Sequence, residues 1–133
     1  MANVFDVASY ILQEKGPMAH MKLQRLCYYS QAWHFEWDKR LLFRERIEAW
    51  ANGPVIPKLY EKYRGFFHIT KGPNGRPENL TIREIETIDA VLEAYGDLTA
   101  HELSELSHNE IPCRKARIGL FSHERSNKEI KFN

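Results

Sequence analysis

The stretch HMKLQRLCYYSQAW, residues 20–33, decides how this chain folds. On a helical wheel Leu23, Leu26, Cys27, Ser30, Trp33, His34 and Trp37 share one face, while Met21, Tyr28, Ala32 and Phe35 lie opposite. Only narrow stripes are polar: Lys22, Arg25 and Glu36 with Tyr29, and Gln24 with Gln31 on the other flank. A helix that is apolar on two sides is packed from both directions and belongs in the middle of a domain. Its polar side chains must then find partners, because an unmet buried donor costs about 1–3 kcal/mol. Lys22, Gln24 and Gln31 are accordingly interior hydrogen-bonders or the rim of a binding surface.

Upstream, the apolar residues Val4, Phe5, Val7, Ala8, Tyr10, Ile11 and Leu12 predict a helix from Val4 to Lys15, capped by Asn3 and stopped at Gly16-Pro17. The short connection makes it an antiparallel partner of the central helix. Downstream, Ile47-Glu48-Ala49-Trp50 reads as extended chain, because the turn signal Asn52-Gly53-Pro54 follows at once. Pro57 suits the first position of a helix carrying Leu59, Tyr60 and Tyr63 inward and ending near Gly65. The KGPNGRPE segment between His68-Ile69-Thr70 and Asn79-Leu80-Thr81 reads as a small β-hairpin or an exposed loop. Three capping boxes follow: Thr81 with Glu84, Thr99 with Glu102, and Ser126 with Glu129. The first opens a helix with Ile85, Ile88, Val91, Leu92 and Tyr95 on one face, closed by Gly96. The second places Ala100, Leu103 and Leu106 inside, and the third starts a last helix of one or two turns running out at Asn133. The expected fold is α+β and helix-dominated: a compact single domain over residues 1–133, with five or six helices and a small β-hairpin or short sheet.

With 133 residues, 43% of them hydrophobic and 28% charged, the chain has the composition of a soluble globular protein. Nineteen basic and 18 acidic residues leave a net charge of +1, which argues against a nucleic-acid partner. The first residues carry no basic leader or cleavage site, and no apolar run approaches a membrane span. Isolated Cys27 and Cys113 read as reduced thiols, so a cytoplasmic location is expected.

Catalytic chemistry is poorly represented. His101-Glu102 lacks the second histidine of a zincin helix, and His20, His34, His68 and His123 are scattered. A metal-dependent hydrolase would have to be assembled from His108, Glu110 and Glu48, which do not have ligand spacing. Ser30, Ser104 and Ser107 occupy no nucleophile elbow. Cys27 lies on an apolar face and should be inert, whereas Cys113 beside Arg114, Lys115 and Arg117 is better placed for thiolate character. No glycine-rich phosphate loop is present. The expectation is a protein without catalytic activity, cofactor or metal. A helix-turn-helix over residues 82–117 lacks an exposed set of base-reading side chains. The heavy aromatic load, with three Trp, six Tyr and seven Phe, favours protein binding instead.

Three segments together carry a resemblance: MKLQRLCYYSQAWH at 21–34, IEAWANGPVIPKLY at 47–60 and LSELSHNEIPCRKAR at 103–117. In order and spacing they resemble the Panacea domain, the SocA-like antitoxin family of phage and prophage genomes, also described as phage-associated proteins. The run from Glu48-Ala49-Trp50 through Gly53-Pro54-Val55 to Pro57 and Tyr60 is the most specific. Family members commonly have Pro-Trp-Lys-x-Ala-Arg where this chain has Pro112-Cys113-Arg114-Lys115-Ala116-Arg117. The resemblance implies a non-enzymatic antitoxin that binds a cognate protein toxin, with a cytosolic protease as a second implied partner. A phage accessory protein that binds a host factor and a DNA-binding regulator are the alternatives. By the same resemblance Lys22, Gln24, Glu48, Tyr60, Ser107 and His108 are candidates for partner binding. Trp33, Trp50, Gly53 and Pro54 are structural positions of the motif. Toxin identity, contact surface and oligomeric state do not follow from the sequence.

Overall fold

The computed structural model describes residues 1–132, and its architecture is built around the central helix. Helix α1 (Val4–Lys15) starts at Asn3, whose side chain accepts from the Asp6 N–H while the Asp6 carboxylate accepts from the Asn3 N–H. Helix α2 (His20–Asp38) follows a two-residue strand β1 (Met18–Ala19) and ends at Lys39 in the left-handed conformation. It packs against α1 and against the later helices α4 (Ile82–Tyr95) and α5 (Ala100–His108). Every residue from Leu23 to Gln31 is buried, as a helix covered from both sides requires.

Two glutamines of α2 replace secondary structure for the chain that crosses them. Gln31 Oε1 accepts from the N–H groups of Leu42 (2.6 Å) and Phe43 (3.3 Å), and its Nε2 donates to the Phe43 carbonyl at 2.7 Å. Gln24 does the same at Ile56, accepting from its N–H at 2.8 Å and donating to its carbonyl at 3.4 Å. Both side chains are interior hydrogen-bonders that satisfy backbone groups in irregular chain.

Strands β2 (Ile47–Trp50) and β3 (Gly53–Val55) form a hairpin about the turn expected at Asn52-Gly53, with Trp50 opposite Gly53. Helix α3 (Pro57–Lys62) begins at Pro57 and buries Leu59. Strand β4 (His68–Ile69) pairs with β1, not with the chain beyond it. The KGPNGRPE segment therefore forms no hairpin. It is a loop laid on α1: Asp6 accepts from the Arg76 N–H at 2.7 Å, and Ser9 Oγ accepts from the Gly75 N–H. A Cβ on Gly75 would collide with the Phe5 carbonyl, so the loop lies flat on the helix only because glycine is there.

The capping boxes at Thr81 and Thr99 open α4 and α5 as expected. Leu103 is buried, but Leu106 is 39% exposed and faces outward, against expectation. Helix α6 (Ile111–Ala116) carries Pro112 in its first turn. The third box fails: Glu129–Ile130 is strand β5, paired with Ile47–Glu48 on the free edge of β2. Ser126 Oγ instead accepts from the Lys128 N–H. Nucleating a helix fixes several residues for a single hydrogen bond, whereas the open edge of β2 offers ladder bonds immediately. Asn133 lies outside the described residues. The result is a helix-dominated α+β fold with six helices and short antiparallel strands among the described residues. No helix among them is long and apolar enough to cross a membrane.

Candidate functional site

The turn at Asn52-Gly53 sits over a buried cationic centre. Arg25 is 1% exposed, and its Nη2 donates to the Asn52 carbonyl at 3.0 Å. Its Nε and Nη1 are buried without a partner. Burial lowers its pKa to about 10, with Cys113 and Tyr29 opposing, so it is charged at neutral pH. Arg117 is also buried and donates to the carbonyls of Ala49, Trp50, Phe121, Ser122 and Glu124. It ties β2 to the C-terminal chain. Gly53 lies against this centre: its φ is +127°, and a Cβ there would stand 3.1 Å from Arg25 Nε and 3.3 Å from Ser107 Oγ.

Arg25, on a polar stripe of the helical wheel, and Arg117, among the basic residues after Cys113, are both interior. The signal for Arg25 was present: a helix covered on two sides leaves no wet stripe for it. Cys113 is fully buried, and burial raises its pKa against the lowering influence of Arg117 and Arg25, so the expectation of thiolate character is corrected. Cys27 is likewise buried with a raised pKa.

The structure divides the sequence candidates into two groups. Gln24 and Ser107 are fully buried, with Ser107 Oγ donating to the Leu103 carbonyl at 2.7 Å, so neither offers a partner any surface. Both were expected among the partner-binding residues, and burial corrects this. Glu48, Trp50 and Tyr60 form one half-buried face. Glu48 accepts from Trp50 Nε1 at 2.8 Å and pairs with Arg46 at 2.9 Å, and Trp50 packs edge-on to Tyr60 at 5.0 Å. A surface groove of about 610 Å³ is lined by Glu48, Trp50, Ala51, Arg125, Ser126 and Asn127. Tyr60 continues the face to His20, on which it stacks at 5.3 Å. The His20 N–H donates to the carbonyl of Phe67, whose side chain, like that of Phe66, is exposed.

Lys22 is half-buried apart from this face, in the field of Lys15 and Asp97. Trp33 is half-buried against Trp37 and Tyr95. Gly53 and Pro54 are buried in the hairpin. The His108 ring lies parallel to that of His123 at 4.9 Å. Glu110 accepts from the Tyr29 hydroxyl at 2.8 Å. His108, Glu110 and Glu48 thus have separate partners, and no three His, Cys, Asp or Glu side chains are grouped as a metal-ligand set among the described residues.

His20 couples this face to pH. Gln24 Oε1 accepts from Ile56, so its Nε2 is the atom 3.1 Å from His20 Nε2, and the imidazole must accept there in its neutral form. Burial accordingly lowers the His20 pKa below its usual 6.5, with Arg25 acting in the same direction and a backbone bond at Phe66 opposing. A lowered folded-state pKa means that the unfolded chain takes up the proton first, so this stability is present above about pH 6.5 and is lost as pH falls below it. The urea midpoint should drop between pH 7.5 and pH 5.5, and less so in His20→Phe. An equal drop in both proteins would assign the effect elsewhere, for example to His108, whose pKa is also lowered by burial.

Comparison with curated proteins and comparison with solved structures both find no match. Among protein families, the model described as "Antitoxin SocA-like, Panacea domain" matches residues 23–112, from the central helix through the hairpin to the start of α6. That span is well over half of the chain and holds both Arg25 and the Glu48–Trp50–Tyr60 face. The chain belongs to the SocA-like antitoxin family and carries its Panacea domain.

Proposed function

We propose that this protein neutralises a cognate protein toxin by binding it directly, without chemistry of its own. The observation that carries this reading is the family match over residues 23–112. The geometry supports it with a contact face: Trp50 and Tyr60 are held in place by Glu48 and His20 yet keep part of their rings open, beside exposed Phe66 and Phe67. Pre-positioned aromatic side chains lose little freedom on binding, which is why such residues dominate interface energetics. Glu48 and Arg46 supply a polar rim.

Co-expression with the products of adjacent genes tests the proposal through growth rescue and co-purification. The double variant Trp50→Ala with Tyr60→Ala should weaken toxin binding at least ~30-fold if each side chain contributes about 1–2 kcal/mol. Circular dichroism should show the fold retained. Failure of every adjacent gene product to be neutralised would count against the toxin reading itself. Unchanged affinity in the double variant would move the contact to another face. Handover of the toxin to a cytosolic protease is a finer form of the same proposal, read from toxin half-life with and without this protein.

A further inference from the structure

The ends of α5 and α6 and the chain after them line a second pocket, of about 220 Å³. His108, Asn109, Arg114, Arg117, Phe121 and Ser122 line it, together with Leu120. We propose that this pocket is a binding site for a small oxyanion, either a phosphate or a carboxylate group. Its volume is below the roughly 300–1,000 Å³ of sites that enclose a whole cofactor, which suits a small ion or a single acidic group.

Two guanidinium groups, an imidazole, an amide and a hydroxyl line the pocket, and no carboxylate does. Arg117 cannot swing, because its guanidinium is tied to backbone carbonyls on both chain segments; it supplies a fixed positive charge. Arg114 is exposed and makes no ion pair among the described residues, so its fork is free to donate to an oxyanion. His108 Nδ1 is buried without a partner, and stacking on His123 within 5° of parallel fixes the plane in which it would donate.

A second observation points the same way. At the hairpin turn, the side chain of Arg25 is almost wholly buried, with two nitrogens unpartnered and no ion pair to a carboxylate among the described residues. Arg25 and Arg117 both act on Cys113, and neither forms an ion pair with a carboxylate among the described residues. Uncompensated buried charge is costly, and an anion at its edge lowers that cost. Carboxylates on neighbouring residues have partners of their own, Glu110 accepting from the Tyr29 hydroxyl. Glu124 accepts from the Phe121 N–H, and Glu105 is the weakest of the influences on His108.

The full chain, isotopically labelled, should be titrated with inorganic phosphate, acetate and chloride at matched ionic strength and constant pH. The His108 and His123 ring signals should shift and saturate with at least one oxyanion while responding to chloride only linearly. Saturation with phosphate alone assigns the site to a phosphate group, and saturation with acetate as well assigns it to carboxylates. Arg114→Gln should weaken binding about tenfold, the loss of one charge-assisted hydrogen bond. His108→Phe keeps the ring stack, removes Nδ1 and should weaken it similarly. Responses to all three salts that cannot be told apart would overturn the proposal, as would unchanged affinity in both variants.

Discussion

Gly53→Ala should destabilise this protein by about 2–5 kcal/mol, the sum of a strained backbone and an overfilled contact. With φ at +127°, Gly53 occupies backbone space that residues with a Cβ rarely enter. The added methyl would press on Arg25 Nε and Nη2 at 3.1 and 3.2 Å and on Ser107 Oγ at 3.3 Å. None of these can retreat freely: Arg25 is buried and bonded to Asn52, and Ser107 is bonded to Leu103. The urea midpoint gives the measurement. A loss below about 1 kcal/mol would mean that the turn relaxes and that Arg25 is not packed against it as described.

Gln31→Leu should be of similar size, about 3–6 kcal/mol, although it keeps the side chain's bulk in the core. The cost comes from three backbone groups, the N–H of Leu42, the N–H of Phe43 and the carbonyl of Phe43, which would stay buried with no partner. Leu42 and Phe43 are fully buried, so water does not replace the lost bonds without local opening. Hydrogen exchange is the direct test: the Leu42 and Phe43 amides should lose protection well beyond the global change in stability. If they kept it, the clamp between α2 and the following chain would not be what holds residues 42–43 inside.

Both predictions concern groups that meet across the middle of the fold, and they mark where sequence reading succeeded and where it stopped. For Gln31 and Gln24, the apolar faces of residues 20–33 left two readings, interior hydrogen-bonders or the rim of a binding surface, and the contacts with residues 42–43 and 56 are those of the first. For Gly53, the turn was readable but its packing against Arg25 was not. On the Glu48–Trp50–Tyr60 face, the motif placed the residues close together in sequence, while stacking with His20 needed the return of α3 over the start of α2.

By itself the sequence determined the features that depend on neighbours within a few residues. Asn3, Thr81 and Thr99 start helices because their side chains reach an N–H three residues on, and Asn52-Gly53 turns because glycine tolerates its backbone angles. The family followed in the same way, from motifs contiguous along the chain. Tertiary structure alone decided where Arg117 lies, why residues 72–79 rest on α1 and why residues 129–130 form a strand. In each case the partner is remote: Arg76 meets Asp6 70 residues away, and Arg117 meets Ala49 68 residues away. A capping box competes with such contacts only over its own turn, so at Ser126 an open strand edge prevailed over a locally favourable helix start.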